Sequence, residues 1–151
     1  MRYIYITIRY FGLRFKCPCC DGCFRKFLFF GAKPRPNARC PRCGSLERHR
    51  LLWLYLRNKI NFFSDHLKVL DIAPIHFFQK KCKKLKNLDY ISADISSPIA
   101  MIKMDITDIN LHDNQFDCII CYHVLEHILD DEKAMRELFR VLKPGGWAIL
   151  Q

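Results

Sequence analysis

From Leu67 onward, short apolar runs alternate with stretches of helical periodicity, and this alternation constrains the fold more than any other feature of the 151 residues. Strands separated by helices pair most readily in parallel, with the helices covering the sheet faces, so the segment reads as a mostly parallel α/β sheet. The spacing predicts strands at 67–72, 88–93, roughly 100–104, 116–122 and 147–151, with helices near 77–86 and 131–142. The second helix is marked at both ends. Asp130, Asp131 and Glu132 sit at the positive end of its dipole, and Lys143-Pro144-Gly145-Gly146 stops it. Between them Ala134, Leu138, Val141 and Leu142 form one apolar stripe.

The region before this sheet has a different composition. Cys17-Pro18-Cys19-Cys20 and Cys40-Pro41-Arg42-Cys43 form two C-x-x-C pairs with 19 residues between Cys20 and Cys40. Two residues between thiolates let one tight turn offer both sulfurs to one ion, and a second turn completes a tetrahedron, as in structural zinc sites. Cys17, Cys20, Cys40 and Cys43 are therefore the candidate Zn2+ ligands, with Cys23 an alternative to Cys17, and reduced core cysteines the competing reading. Cys82, Cys118 and Cys121 stand alone on predicted elements and read as small core residues. Alternation of Ile4, Ile6 and Ile8 predicts a half-buried strand over Tyr3–Arg9. Ser45 is placed to cap a helix carrying Leu52, Trp53, Leu56 and Ile60 on one stripe.

Charge is divided as sharply as composition. Residues 1–60 hold 14 Lys and Arg against Asp21 and Glu47, whereas residues 61–151 hold 11 against 13 acids. A basic front steers anionic partners such as nucleic acid, the competing reading being a solvated basic face. The run Lys80, Lys81, Lys83, Lys84, Lys86 lies opposite Phe77, Phe78 and Leu85 and reads as the solvated side of a helix. Tyr3–Leu13 is too short and too charged for a secretory signal, and no stretch approaches the roughly 20 apolar residues of a membrane helix. The expectation is a cytoplasmic protein with no membrane partner, in whose reducing environment paired cysteines indicate metal.

Five segments of the sheet region stand out. Lys68-Val69-Leu70-Asp71-Ile72-Ala73-Pro74 is a strand leading through an acid into a turn, where open parallel sheets bind nucleotides. Twenty-three residues on, Asp94 closes Tyr90-Ile91-Ser92-Ala93-Asp94, and an acid there can accept bonds from ribose hydroxyls. Met104-Asp105-Ile106-Thr107 ends a third strand. Phe116-Asp117-Cys118-Ile119-Ile120-Cys121 then leads to His123-Val124-Leu125-Glu126-His127, and Arg136-Glu137-Leu138-Phe139-Arg140-Val141-Leu142-Lys143-Pro144-Gly145-Gly146 follows.

In this order the segments resemble class I S-adenosylmethionine-dependent methyltransferases, especially the type 11 group. The cysteine module followed by Ser45-Leu46-Glu47-Arg48-His49-Arg50 is similar to the front end of some members. The resemblance implies a Rossmann-like sheet preceded by a zinc-ribbon-like module. The division is then an N-terminal strand and cysteine module over 1–44, a connecting helix over 45–66 and a partial methyltransferase domain over 67–151. It also implies S-adenosyl-L-methionine as cofactor and methyl transfer to an acceptor, an anionic one in keeping with the basic front. Asp71, Ile72 and Ala73, within the turn that runs to Ile75, would lie beside the cofactor's methionine part. Asp94 would hold its ribose, Asp105 and Ile106 would border its adenine, and His123 would face the methyl group as the catalytic base.

This chain departs from the family at two places. Ala73-Pro74-Ile75-His76 replaces a glycine-rich loop, and about five strands stand where the family has seven, so a C-terminally truncated sheet lacking its final antiparallel hairpin is expected. Other readings compete. A basic zinc-ribbon protein that binds nucleic acid or acts as a scaffold would use the front and leave the sheet degenerate. His123-x-x-Glu126-His127 also matches the inverted zinc-protease pattern, which places two imidazoles on one helix. His123 can alternatively be a cap or core residue, and Asp94 an ordinary strand-end turn.

Overall fold

A computed structural model describes residues 2–151, with side-chain burial from residue 6 onward. The chain divides into two compact units, Met1–Phe63 and Ser64–Gln151.

The first unit begins with α1, Arg2–Arg9, where alternating isoleucines predict a strand. The difference has a backbone cause: a helix satisfies its N–H and C=O groups within the segment, whereas a strand needs a partner edge. Strands β1 (Phe11–Lys16) and β2 (Cys23–Phe24) form one antiparallel pair, and β3 (Leu28–Phe30) and β4 (Arg35–Arg39) form another. Helix α2 spans Glu47–Asn58, a shorter stretch than the 45–66 connection, and it belongs to this unit, so the division falls at Phe63. The chain turns back after α2 because Phe62 is fully buried and Phe63 stacks 4.8 Å from Trp53. Phe24, Phe27, Leu52 and Leu56 fill the small core. Arg50 spans it, with its guanidinium 4.7 Å from the Phe27 ring and Nη1 donating to the carbonyls of Ala38 and Ser45.

The second unit is a five-stranded sheet. Its strands are β5 (Leu67–Ile72), β6 (Leu88–Asp94), β7 (Ile102–Lys103), β8 (Phe116–Cys121) and β9 (Leu142–Leu150), all parallel, in the order β7-β6-β5-β8-β9. The side-chain alternation of a strand sorts β5 between two faces. Leu70 and Ile72 join Ala93, Phe116, Ile119, Ala134, Leu138 and Val141 in one buried cluster, which brings in α4 (Asp131–Val141). Helix α3 (His76–Cys82) packs against β6, buries Phe77, Phe78 and Cys82, and leaves Lys80, Lys83 and Lys84 exposed. Each fully buried aliphatic side chain contributes about 1.5–3 kcal/mol.

Helix α4 is capped by Asp130, which accepts from the Lys133 amide at 2.9 Å. Strand β9 begins five residues earlier than expected, because Lys143-Pro144-Gly145-Gly146 forms a bulge within it. Gly145 has φ 79°, and a Cβ on Gly146 would meet the carbonyl oxygens of Lys143 and Asp117 at 2.9 and 3.0 Å, so the bulge requires both glycines. Lys143 Nζ closes it on Asp117 at 2.7 Å. No helix among the described residues is long and apolar enough to cross a membrane.

Candidate functional site

The strand order places a topological switch between β5 and β8. From β5 the chain moves outward through β6 and β7, then returns to β8 and continues to β9. Where successive connections diverge in this way, a crevice opens at the carboxyl ends of the two strands, and ligands of open α/β sheets bind there.

The backbone just beyond the carboxyl ends of both strands is unusual. Ala73, just after β5, has φ 53°, and His123, two residues after β8, has φ 59°. Left-handed backbone is uncommon for residues with a Cβ, and such strain gathers at functional sites. Ala73 takes the conformation that a glycine-rich loop would adopt freely, and its amide is anchored to the Ala93 carbonyl at 2.9 Å. The amide of His123 is held by the carbonyl of Gln151.

Asp94 ends β6 at the same edge. Its Oδ1 accepts from the amides of Ser96 (2.7 Å) and Ser97 (2.6 Å), which fixes the carboxylate in a strand-end turn. Asp105 is exposed, and Thr107 holds its carboxyl below the ordinary range through its amide and hydroxyl. Ile106 is 5% exposed, within the cluster beneath α4.

Asp71 is oriented differently from the other predicted residues. It is 3% exposed on the opposite face from Leu70 and Ile72, and the Tyr90 hydroxyl donates to its Oδ2. Burial pushes its carboxyl up to about 7 against the bond from Tyr90. Its side chain is thus engaged inside the unit, while Ala73 and Ile75 of the following turn are half-buried. Cys82, Cys118 and Cys121 are fully buried, as small core residues, with thiols driven up by burial, that of Cys121 to about 12.

His123 presents its two ring nitrogens to different surroundings. Nδ1 lies 3.1 Å from Glu126 Oε1, while Nε2 is buried with no hydrogen-bond partner. An ionised carboxylate only accepts, so Nδ1 is the donor of this pair, and a neutral ring paired in this way carries its lone pair on Nε2. The Glu126 carboxylate lies below its ordinary range, through a hydrogen bond from its own amide and then the one from His123. The sequence reading missed Glu126 as a partner of His123, although their i, i+3 spacing was visible. Leu125–His127 is a single 3-10 turn, not the α-helix that the protease pattern needs to face two imidazoles toward one ion.

In the first unit the Sγ atoms of Cys17, Cys20, Cys40 and Cys43 all lie within 4.8 Å of one another, and Cys23 is outside the group. Cys17 and Cys43 are 3.7 Å apart, as are Cys20 and Cys40. A tetrahedral zinc with sulfur at about 2.3 Å requires sulfurs about 3.8 Å apart, so the four thiols fit that ion. Cys17 is pushed toward the thiolate by bonds from Cys19 and the other ligand-set thiols, while Cys20 and Cys40 are pushed toward the thiol, first by Cys17. Ionising all four sulfurs this close together requires a cation to compensate them. Ser45 does not cap α2; Leu46 is the N-cap residue and its amide donates to His49 Nδ1. Ser45 is instead buried among the sulfurs, its Oγ 3.2 Å from Cys43 Sγ and 3.4 Å from Cys17 Sγ.

Comparison with known proteins bears on the family and the fold. The family model described as a methyltransferase domain, of the type 11 group, matches residues 61–150. The ubiquinone/menaquinone biosynthesis C-methyltransferase UbiE of Pasteurella multocida is 36% identical over 64 residues, 42% of this chain and 22% of that protein. UbiE of Vibrio cholerae serotype O1 is 42% identical over 45 residues, 30% of this chain and 17% of that protein. These matches span about a fifth of the curated relatives' length. Among solved structures, the PH0226 protein of Pyrococcus horikoshii aligns with TM-score 0.52 at 23% identity, covering 64% of this chain and 52% of that one. A protein of Methanococcus maripaludis, provisionally described as an S-adenosyl-L-methionine-dependent methyltransferase, aligns with TM-score 0.50 at 21% identity, covering 62% and 51%. With a family model matched over more than half its length and a sheet of the same fold, the chain belongs to the methyltransferase domain family of the type 11 group.

Proposed function

We propose that the second unit binds S-adenosyl-L-methionine along the carboxyl ends of β5, β6 and β8 and transfers its methyl group to an O, N or C nucleophile of an acceptor. The observation that carries this reading is the switch between β5 and β8, where Ala73 and His123 both hold left-handed backbone just beyond the carboxyl ends of the two strands. Such conformations cost on the order of 1–3 kcal/mol each and persist where the surrounding structure enforces them.

When bound, the cofactor supplies an electrophilic methyl group on a sulfonium. The residues of this chain bind, orient and move a proton. Asp94, already fixed by Ser96 and Ser97, accepts from ribose hydroxyls. The backbone of Ile72 and Ala73 borders the methionine part, with Asp71 beneath as support, and Asp105 and Ile106 border the adenine. His123 takes the proton of the acceptor at Nε2, since Glu126 holds Nδ1. Alignment and exclusion of water supply the remaining acceleration. In the first unit the four cysteines hold a structural Zn2+, a closed set of sulfur ligands with no open position for catalysis.

Chemical-shift mapping with S-adenosylhomocysteine, the demethylated product, tests this placement. The amides of Ala73, Asp94, Asp105 and His123 are expected to shift, and those of Lys68 and Asp89, at the opposite ends of their strands, to stay. Shifts confined to the amino ends, or none in the folded protein, reject the site.

A further inference from the structure

The basic front of the chain does not enter the methyl-transfer site described above, and its side chains are arranged in a way that identifies a partner. Its two acids are already engaged: Glu47 pairs with Arg35 at 3.3 Å and Asp21 with Lys16 at 3.7 Å. Arg14, Arg25, Lys26, Lys33, Arg39 and Arg42 form no ion pair among the described residues, and all but the half-buried Arg39 are exposed. No carboxylate among the described residues of the unit pairs with these six cations, which leaves them available to an anion outside it.

Exposed aromatic rings lie among the cations. Phe11 is 67% exposed and Phe29 62%, where rings of this size would ordinarily be buried. Phe30 faces Arg35 across the β3–β4 pair, and the guanidinium of Arg39 sits 5.9 Å from its ring centroid. Arg14 lies 5.5 Å from the Phe15 ring, and Lys26 5.9 Å from that of Tyr10. Cations and rings are therefore interleaved along the same short strands, not sorted to opposite faces.

We infer that the two β-hairpins of the first unit form a binding surface for single-stranded nucleic acid. Lys and Arg neutralise its phosphates, and the exposed phenylalanines stack on its bases. A duplex keeps its bases stacked inward and offers no faces to these rings. A membrane surface would call for apolar residues segregated from the charged ones, because each interleaved cation would be dragged toward the hydrocarbon with its neighbouring ring. The surface stands or falls independently of methyl transfer by the sheet.

The test is fluorescence anisotropy of the zinc-loaded full chain with a labelled oligouridine of about 12 nucleotides, a duplex of equal length, and vesicles containing phosphatidylserine. Binding to the single strand is expected to exceed binding to the duplex and to weaken steeply with salt. Arg39→Gln with Arg42→Gln should weaken binding about tenfold or more and flatten the salt dependence. Phe29→Ala with Phe30→Ala should weaken it about tenfold and leave the salt dependence unchanged. Folding of each variant is checked by its zinc content, and the single-strand preference of the unaltered protein is a second readout that needs no variant. Equal affinity for duplex and single strand, indifference to loss of the phenylalanines in a folded variant, or binding to vesicles alone would overturn the inference.

Discussion

The two units of this chain reach a folded state by different means. In the first, 63 residues supply a small aromatic core, two short strand pairs and a cluster of four thiols. In the second, 88 residues build a five-stranded parallel sheet whose central strands are buried on both faces. A core as small as the first commonly needs a staple, and the proposed zinc provides it. The second unit is stabilised by burial, and holds Ala73 and His123 in left-handed backbone beyond the carboxyl ends of β5 and β8, where a ligand is expected.

Metal removal should separate the units most strongly. Structural zinc contributes on the order of 10–16 kcal/mol to sites of this kind, so chelation is expected to abolish amide-exchange protection in residues 17–46. Protection in β5, β6 and β8 should be unchanged, and if both units lost it together the contrast would be broken.

Within the second unit, the largest predicted effect concerns Asp71. Its folded-state pKa of about 7 lies above the ordinary carboxylate value, so the folded state prefers the proton. Below about pH 4 both states hold it; as pH rises toward 7 the unfolded chain ionises first and stability is lost, on the order of 4 kcal/mol when complete. Asp71→Asn removes this loss, so its urea midpoint should gain on the unaltered protein between pH 5 and 8. A constant difference would show that Asp71 is not the group responsible. Ile119→Val, at a fully buried position of β8, should cost about 1 kcal/mol by the same measurement. The smallest effect is local. Arg140 donates to the carbonyls of Ile109 and Leu111 and to Asp113, so Arg140→Ala should speed amide exchange in residues 109–114 with little change elsewhere.

The sheet was legible because its strands are short apolar runs with acids or turns at their ends, and β5 falls on 67–72 as its spacing predicts. The four-thiol cluster was legible from spacing, which left Cys17 and Cys23 in competition until the fold brought Cys17 to the cluster. Three features were hidden for distinct physical reasons. Alternating isoleucines do not reveal whether a partner edge exists, so α1 read as a strand. A serine after the second cysteine pair looks like a helix cap, and only packing shows that Ser45 lies among the sulfurs. A turn with Pro74 and Ile75 where the family has glycines looked ill-suited to positive φ, yet Ala73 supplies the left-handed residue.

The central claim is a cofactor site at the β5–β8 switch, and calorimetric titration of the zinc-loaded chain with S-adenosylhomocysteine tests it most directly. Saturable binding that is lost in Asp94→Ala, with the variant still folded, is the predicted result. A folded chain that takes up no ligand, or an Asp94→Ala variant that binds as well as the unaltered protein, would contradict it.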